Sequence, residues 1–442
     1  MEFIKKYKID ILIVLAFIGF VLFLPNNASV WIDELFTLEF VELKVPELLK
    51  TTAKDIHPPL YYLVVKLFVN LFPFVDRAII GKFVSLFVFF AFLLITYHYI
   101  KKYINNSVAS TYAIVAMGCK ILHYCFEIRM YTLATSLIVL AYISGYLLVT
   151  TKKHRFAIYT NICVLLAMYT HYYAVIAFLP LLIYLVVNLC KDKLYKLLVL
   201  SIVFQIVAYL PWLLYFVSLF SSNQAGIGAG YYFNVSELII SFVSFFSNSN
   251  IILTGITMAI FTVITLFAVR LSKSKQIQFG FVCLLPLISI FIFGNLLGLV
   301  FDKFFSGKYL LLSWNVFAFG IALFINEIKY RKVFVSFIFI LNALSYSLII
   351  NEEFYDIEVT SYFNAFLASQ ELITCEGKYC DICKYYSDNV IIDESNDNVY
   401  STEYVIFNNR IESLHCFWFN PASVDMYVYK TSEYNQYLNN LR

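Results

Sequence analysis

The sequence predicts an all-α polytopic membrane protein, of about eleven transmembrane helices with interfacial helices in the first outer loop, plus a small C-terminal α+β extracytoplasmic domain. Three observations lead there. The 442 residues are 61% hydrophobic and 14% charged, with a mean hydropathy of +0.77, more apolar surface than a water-soluble domain has use for. Apolar runs long enough to cross a bilayer recur along most of the chain. Charge is unevenly spread: from Asn351 onward 15 acids meet 5 bases, whereas 27 bases meet 14 acids before it. The chain therefore divides into a membrane domain, 1–350, and an acidic soluble one, 351–442.

The expected spans lie near 9–25, 78–100, 107–124, 130–150, 156–171, 172–190, 196–220, 250–270, 277–300, 309–326 and 333–350. The first follows Lys5, Lys6 and Lys8 and is read as a retained span, because no small-residue cleavage motif comes after it. Alternate loops carry Lys101/Lys102, Lys152/Lys153/Arg155, Lys191/Lys193/Lys196, Arg270/Lys273/Lys275 and Lys329/Arg331/Lys332. That basic side is expected to be cytoplasmic, with the N-terminus on it and the C-terminal domain outside.

The outer side then holds the first loop, 26–77, the Glu127/Arg129 turn, the 221–249 loop, the Asp302–Lys308 turn and the tail. In the first loop Val41, Val45, Leu48 and Leu49 stand at helical spacing among Glu42, Lys44, Glu47 and Lys50, which predicts an interfacial helix. Pro58-Pro59 suit the start of a further helix, Leu60–Pro73, too short and too polar at Lys66 and Asn70 to be a span. SNQAGIGAG predicts a flexible run before an interfacial helix at Leu238–Phe246. In the tail a helix near Thr360–Ile373 and strands at Val390–Asp393, Tyr404–Asn408 and Met426–Tyr429 are expected.

Cys119, Cys125, Cys163, Cys190 and Cys283 fall in apolar segments and read as core residues. Cys375, Cys380, Cys383 and Cys416 fall in the tail. In a small domain outside the cytosol they predict two disulfides, with three pairings open. A zinc site using the Cys380/Cys383 C-x2-C pair is the alternative.

Asp33 and Glu34 follow the first span, where a carboxylate pair is costly unless solvated or used. Alone, they fit a solvated helix end equally well. Other polar residues gather on the same side. Asp55 and His57 share one short loop, and Arg129 stands at a span mouth behind Glu127, a local partner. Lys308 stands at another mouth in FSGKYLLL, and Lys82 lies about one turn into the second span. His171, in THYY, reads on its own as a packed residue at a helix end. A carboxylate can take the proton of an acceptor hydroxyl, and cations with a protonated imidazole can hold a phosphate and stabilise it as a leaving group. At a bilayer surface that combination suits a sugar donor whose phosphate hangs from a lipid.

These residues resemble the GT-C superfamily of integral-membrane glycosyltransferases, in the branch of the protein O-mannosyltransferases and the lipid A aminoarabinose transferase (glycosyltransferase family 39-like). The Asp33-Glu34 pair with Thr37 resembles the signature first loop. Asp55-Ile56-His57-Pro58-Pro59-Leu60-Tyr61-Tyr62 resembles the D-x-H-P-P-L element, and Glu127–Leu133 is similar to E-x-R-x-Y-x-L. THYYAV, YLPW and SGKYLLL match typical members, and the resemblance covers roughly 1–330.

The resemblance implies Asp33 as catalytic base and Glu34 as its support or as the group that orients the acceptor. It implies Arg129, Lys308 and Lys82 as donor-phosphate ligands, and Asp55, His57, Tyr61, Tyr62, Tyr131 and His171 as pocket residues. Lys308 and Lys82 stand where many members carry arginine; lysine keeps the charge and loses the bidentate fork. No cofactor is expected. A divalent metal near the first-loop acids, as some relatives bind, stays open, although no clear ligand set is seen. The implied activity is inverting transfer of a hexose (mannose-like) or pentose from a polyprenyl phosphate, undecaprenyl or dolichyl, to a protein, lipid or glycan. The expected setting is the bilayer of a bacterial or archaeal plasma membrane, with no nucleic-acid partner. The main rival is a secondary transporter or lipid-linked sugar flippase, for which no internal repeat is found. A second rival is a polymerase or ligase using a diphosphate-linked donor, which would place its key residues in a large late outer loop.

Overall fold

Helices follow the apolar runs in the computed structural model, which describes residues 2–23, 30, 32–55, 57–220, 235–246, 250–271, 273–300 and 305–345. In the tail it describes 373–376, 390–393, 404–407, 416–419 and 426–430. Helix α1 (Glu2–Phe23) coincides with the first expected span. Helix α2 (Ile32–Glu42) carries Asp33 and Glu34 in its first turn, where the helix dipole favours acids. The expected interfacial helix is divided: Val41 ends up in α2, and Val45, Leu48 and Leu49 in α3 (Val45–Thr52). Pro46 accounts for the break, because proline is favoured in the first turn of a helix and costs a hydrogen bond further in; Lys44, two residues before it, is extended, with φ −62° and ψ 150°. Helix α4 (Leu60–Leu71) starts directly after Pro58-Pro59, as those prolines predict.

Helix α5 (Arg77–Tyr103) is capped by Asp76, whose Oδ1 accepts from the amides of Ala78 and Ile79. The run expected as one span over 107–124 is two pieces, α6 (Asn106–Ala116) and α7 (Cys119–His123). Trp314 occupies the gap. Its Nε1 donates to the Ala116 carbonyl at 2.9 Å, and a Cβ on Gly118 would lie 2.1 Å from its Cζ2. The bundle continues through α8 (Tyr131–Thr151), α9 (Arg155–Met168), α10 (Ala174–Lys191), α11 (Tyr195–Phe220) and α12 (Val235–Ser244). Helices α13 (Ile251–Arg270) and α14 (Lys275–Val300), a 3-10 helix at Gly307–Ser313, α15 (Trp314–Glu327) and a helix over 331–345 complete it.

Among the described residues seven stretches are long and apolar enough to cross a membrane: Arg77–Tyr103, Tyr131–Thr151, Ala174–Lys191, Tyr195–Ser218, Ile251–Arg270, Lys275–Leu299 and Gly307–Glu327. Helix α9, expected as a span, has 14 residues, short of the usual crossing length. The Tyr131–Thr151 and Gly307–Glu327 stretches are each 94% buried, against 11% for Tyr195–Ser218. The first two are therefore the centre of the bundle and α11 its rim. Close approaches fix that centre: Tyr142 Oη donates to the Ala177 carbonyl at 2.7 Å, and a Cβ on Gly320 would lie 2.8 Å from the Gly280 carbonyl oxygen.

The chain forms two compact units. The larger comprises Met1–Leu22 with Phe40–Ile349, the smaller Phe23–Glu39 with Ile350–Arg442. In the smaller unit β1 (Ile373–Glu376), β2 (Val390–Asp393), β3 (Tyr404–Phe407), β4 (Cys416–Phe419) and β5 (Met426–Lys430) form one sheet in the order β2-β1-β3-β5-β4. β1 runs parallel to β2 and β3, and β5 antiparallel to β3 and β4. Strands β2, β3 and β5 stand where the strand-like runs predict them; β1 and β4 are additional. The expected helix near Thr360–Ile373 lies outside the described residues but for Ile373, which opens β1. The SNQAGIGAG run, Cys380 and Cys383 also lie outside them. Cys375 on β1 and Cys416 on β4 are three strand steps apart, on the order of 14 Å at the usual spacing. That exceeds the reach of a disulfide, so a Cys375–Cys416 bridge does not fit the sheet. In the bundle Cys125, Cys163, Cys190 and Cys283 are free thiols.

Candidate active site

Two turns of the larger unit are zipped together by the backbone. Leu60 at the start of α4 has no partner within its own first turn, and its N–H donates to the Tyr169 carbonyl at 2.9 Å. This brings the turn carrying His57 against the turn carrying His171. Their rings meet edge to face, with centroids 5.1 Å apart. His57 is 2% exposed and its Nδ1 lies 3.5 Å from Asp55 Oδ2. The same oxygen accepts from Tyr62 Oη at 3.0 Å, so α4 holds the carboxylate that orients the imidazole. One residue earlier, Tyr61 Oη and Ser85 Oγ are 2.6 Å apart, tying α4 to α5. Ser85 is three residues beyond Lys82 and on its helix face; Lys82 is 3% exposed.

His171 has one defined tautomer. Its Nδ1 accepts from the Tyr173 amide at 3.2 Å, which puts the proton of the neutral ring on Nε2. The ring is 1% exposed, and Nε2 is buried without a hydrogen-bond partner. Burial first, then the positive charges of His57, Arg129 and Lys308, hold its pKa well below 6.5. It is therefore a neutral donor set among cations. Residues from three distant turns, 57, 129 and 308, thus all act on the His171 ring.

Arg129 is 4% exposed, just before α8. A Cβ on Gly81 would lie 2.6 Å from Ile128 Cγ2, so α5 lets the Glu127–Arg129 strip lie directly on it, beside Lys82. The Glu127 carboxylate faces His123, with Oε1 3.5 Å from Nε2. Lys308 enters on the 3-10 helix Gly307–Ser313, where a Cβ on Gly307 would press on Ser241 of α12 at 3.1 Å. The next residue, Tyr309, meets His171 edge to face at 4.9 Å and reaches the His57 ring at 6.3 Å. Tyr131 lies 6.0 Å from His171 on another side. Burial pushes the Tyr172 phenol far above its ordinary value.

Arg129, Lys308, His57, Asp55, Tyr62 and Tyr131 thus stand around His171 and its turn, Tyr61 is tied to α5 through Ser85, and Lys82 is buried one turn before Ser85 on that helix. Asp33 and Glu34 belong to the smaller unit: Glu34 is 1% exposed, Asp33 is half-buried, and Thr37 Oγ1 donates to the Asp33 carbonyl at 3.2 Å. Among the described residues no three His, Cys, Asp or Glu side chains come together as a metal site. Sequence reasoning passed over Tyr309 and Tyr173, whose rings are 4.8 Å apart beside His171. Their only signal was adjacency to Lys308 in SGKY and to His171 in THYY.

No known protein-family pattern and no curated protein sequence matches this chain. Solved structures do. ArnT from Cupriavidus metallidurans bound to undecaprenyl phosphate aligns over 94% of this chain and 97% of that one, at 9% identity and a TM-score of 0.57. The same enzyme in the apo state aligns over the same shares at 9% identity and 0.62. Over nearly its whole length, then, this chain shares the fold of those ArnT structures.

Proposed function

We propose that this chain is an inverting GT-C glycosyltransferase that moves a sugar from a polyprenyl monophosphate to an acceptor hydroxyl at the outer face of a membrane. The observation that carries the reading is the buried cationic cluster around His57 and His171, on the fold of a protein crystallised with undecaprenyl phosphate. In this reading Arg129, Lys308 and Lys82 grip the lipid phosphate. His57, oriented by Asp55, adds a proton-dependent charge, and His171 adds a neutral N–H. Tyr61, Tyr62 and Tyr131 wall the pocket. Asp33 accepts the proton of the acceptor hydroxyl while Glu34 supports it, and the oxygen attacks the anomeric carbon. The bond from that carbon to the phosphate oxygen breaks, and the electron pair leaves with the phosphate, whose charge the cations stabilise. One in-line displacement inverts the anomeric centre. The protein thus sits as a multi-pass enzyme with its N-terminus in the cytoplasm and its tail outside, in the plasma membrane of a bacterium or archaeon. The first 350 residues are the catalytic domain, and no metal is required.

Membranes containing the protein and a labelled polyprenyl-phosphate sugar test this. Label passing to an acceptor supports the reading, and label that only changes leaflet makes the protein a flippase. Asp33→Asn is expected to abolish transfer and leave donor binding intact; a fully active variant would refute the base assignment.

A further inference from the structure

Lys66 interrupts the apolar run of α4 and shares a helix face with Tyr62, four residues before it. That face meets the end of α2. The Tyr62 ring lies 5.3 Å from the Phe40 ring, and Lys66 Nζ donates to the Val41 carbonyl at 2.8 Å. The last carbonyls of a helix have no partner inside it, and they carry the negative end of its dipole. In α2 the Phe40 carbonyl accepts from the Leu43 amide at 3.2 Å. Val41 is 1% exposed, so its carbonyl relies on the half-buried Lys66 ammonium. The Glu42–Arg77 ion pair on the same turn is largely exposed and holds far less.

One helix thus serves two ends. Through Tyr62 Oη and Asp55, α4 orients His57. Through Lys66 it grips α2, which is one continuous helix from Ile32 and carries Asp33 and Glu34 in its first turn. We propose that Lys66 is a positioning residue for sugar transfer: it anchors the last turn of the helix that opens with the two carboxylates, and so fixes their aim. This rests on the transferase reading above, with Asp33 as base. Arg129, Lys308 and Lys82 stand on other elements, so the grip on the donor phosphate does not depend on Lys66.

The test compares the full-length protein with Lys66→Met and Lys66→Arg. Hydrogen–deuterium exchange read by mass spectrometry is expected to speed up about tenfold or more in the last turn of α2 in Lys66→Met, the worth of a hydrogen bond from a charged donor, with α4 unchanged. The rate of transfer from saturating labelled polyprenyl-phosphate sugar is expected to fall by a similar factor, while the affinity for undecaprenyl phosphate stays the same. Lys66→Arg, which keeps a cation within reach of the carbonyl, is expected to recover both. Unchanged exchange in α2 would overturn the anchor. A full transfer rate in Lys66→Met, a matching loss of lipid-phosphate affinity, or no recovery in Lys66→Arg would overturn the positioning role. No transfer by the unaltered protein, with the exchange pattern as expected, would instead overturn the transferase reading and leave Lys66 as the anchor of α2 alone.

Discussion

At the scale of single residues, His171 carries the sharpest consequences. A histidine held neutral in the fold takes up its proton only when the chain unfolds. Between its depressed folded value and 6.5 the unfolded chain therefore binds more protons, and stability falls as pH drops through that window; above 6.5 its contribution is constant. The unfolding midpoint of the protein in detergent is expected to fall as pH is lowered from 7 towards about 5, and His171→Gln is expected to flatten that slope. An equal slope in the variant would mean that His171 is already charged in the fold. The same side chain offers the ligand an N–H from a dry position. His171→Phe keeps a ring and removes the donor, and is expected to weaken polyprenyl-phosphate binding by about tenfold or more, the usual worth of a hydrogen bond to a charged group. Equilibrium binding of the labelled lipid measures it. None of this was legible in THYY, where a histidine between a threonine and two tyrosines looks like packing. What gives it its dry, cationic surroundings comes from Leu60, Arg129 and Lys308, far away in the chain.

Whole elements were more legible where a residue type dictates backbone shape. Pro58-Pro59 announce α4 because proline favours a first turn, where no helix hydrogen bond is lost to it. Pro46 and Gly118 mattered just as much and were missed as breaks. Pro46 lay inside a plausible amphipathic pattern. Gly118 lay inside an unbroken apolar run, and its reason for being glycine, the Trp314 indole, is almost two hundred positions away. Gly118→Ala must displace that rigid ring, and is expected to cost about 1–3 kcal/mol, read as a lowered unfolding midpoint. Paired with Trp314→Phe, the cost is expected to shrink. The zipper between turns has its own test. Leu60→Pro keeps a residue tolerated at a helix start and removes the one N–H that reaches Tyr169. It is expected to leave helix content unchanged by circular dichroism while weakening donor binding. Unchanged binding would show that the His57 and His171 turns need no such tie. In the tail, β1 went unseen because ITCE carries a single aliphatic residue; β4, the apolar run CFWF, was as legible as β3 and was passed over.

At the scale of the whole molecule, composition alone separated a membrane bundle from an acidic tail, since no amount of local detail changes how much apolar surface must be covered. The sheet order adds what composition lacks. With Cys375 and Cys416 three strands apart, any native bridges are expected to join each of them to Cys380 or Cys383, which peptide mapping of the unreduced protein checks. The two-unit division also bears on how the gene is handled. Residues 23–39, which bring Asp33 and Glu34, belong to the same compact unit as the tail strands. A premature stop at the codon for Ile350 would leave every signature residue translated, yet orphan the two carboxylates from the rest of their unit. Such a product is expected to bind lipid phosphate and transfer nothing. The acidic tail, bare of any recognisable motif, would then prove as indispensable to turnover as the first loop.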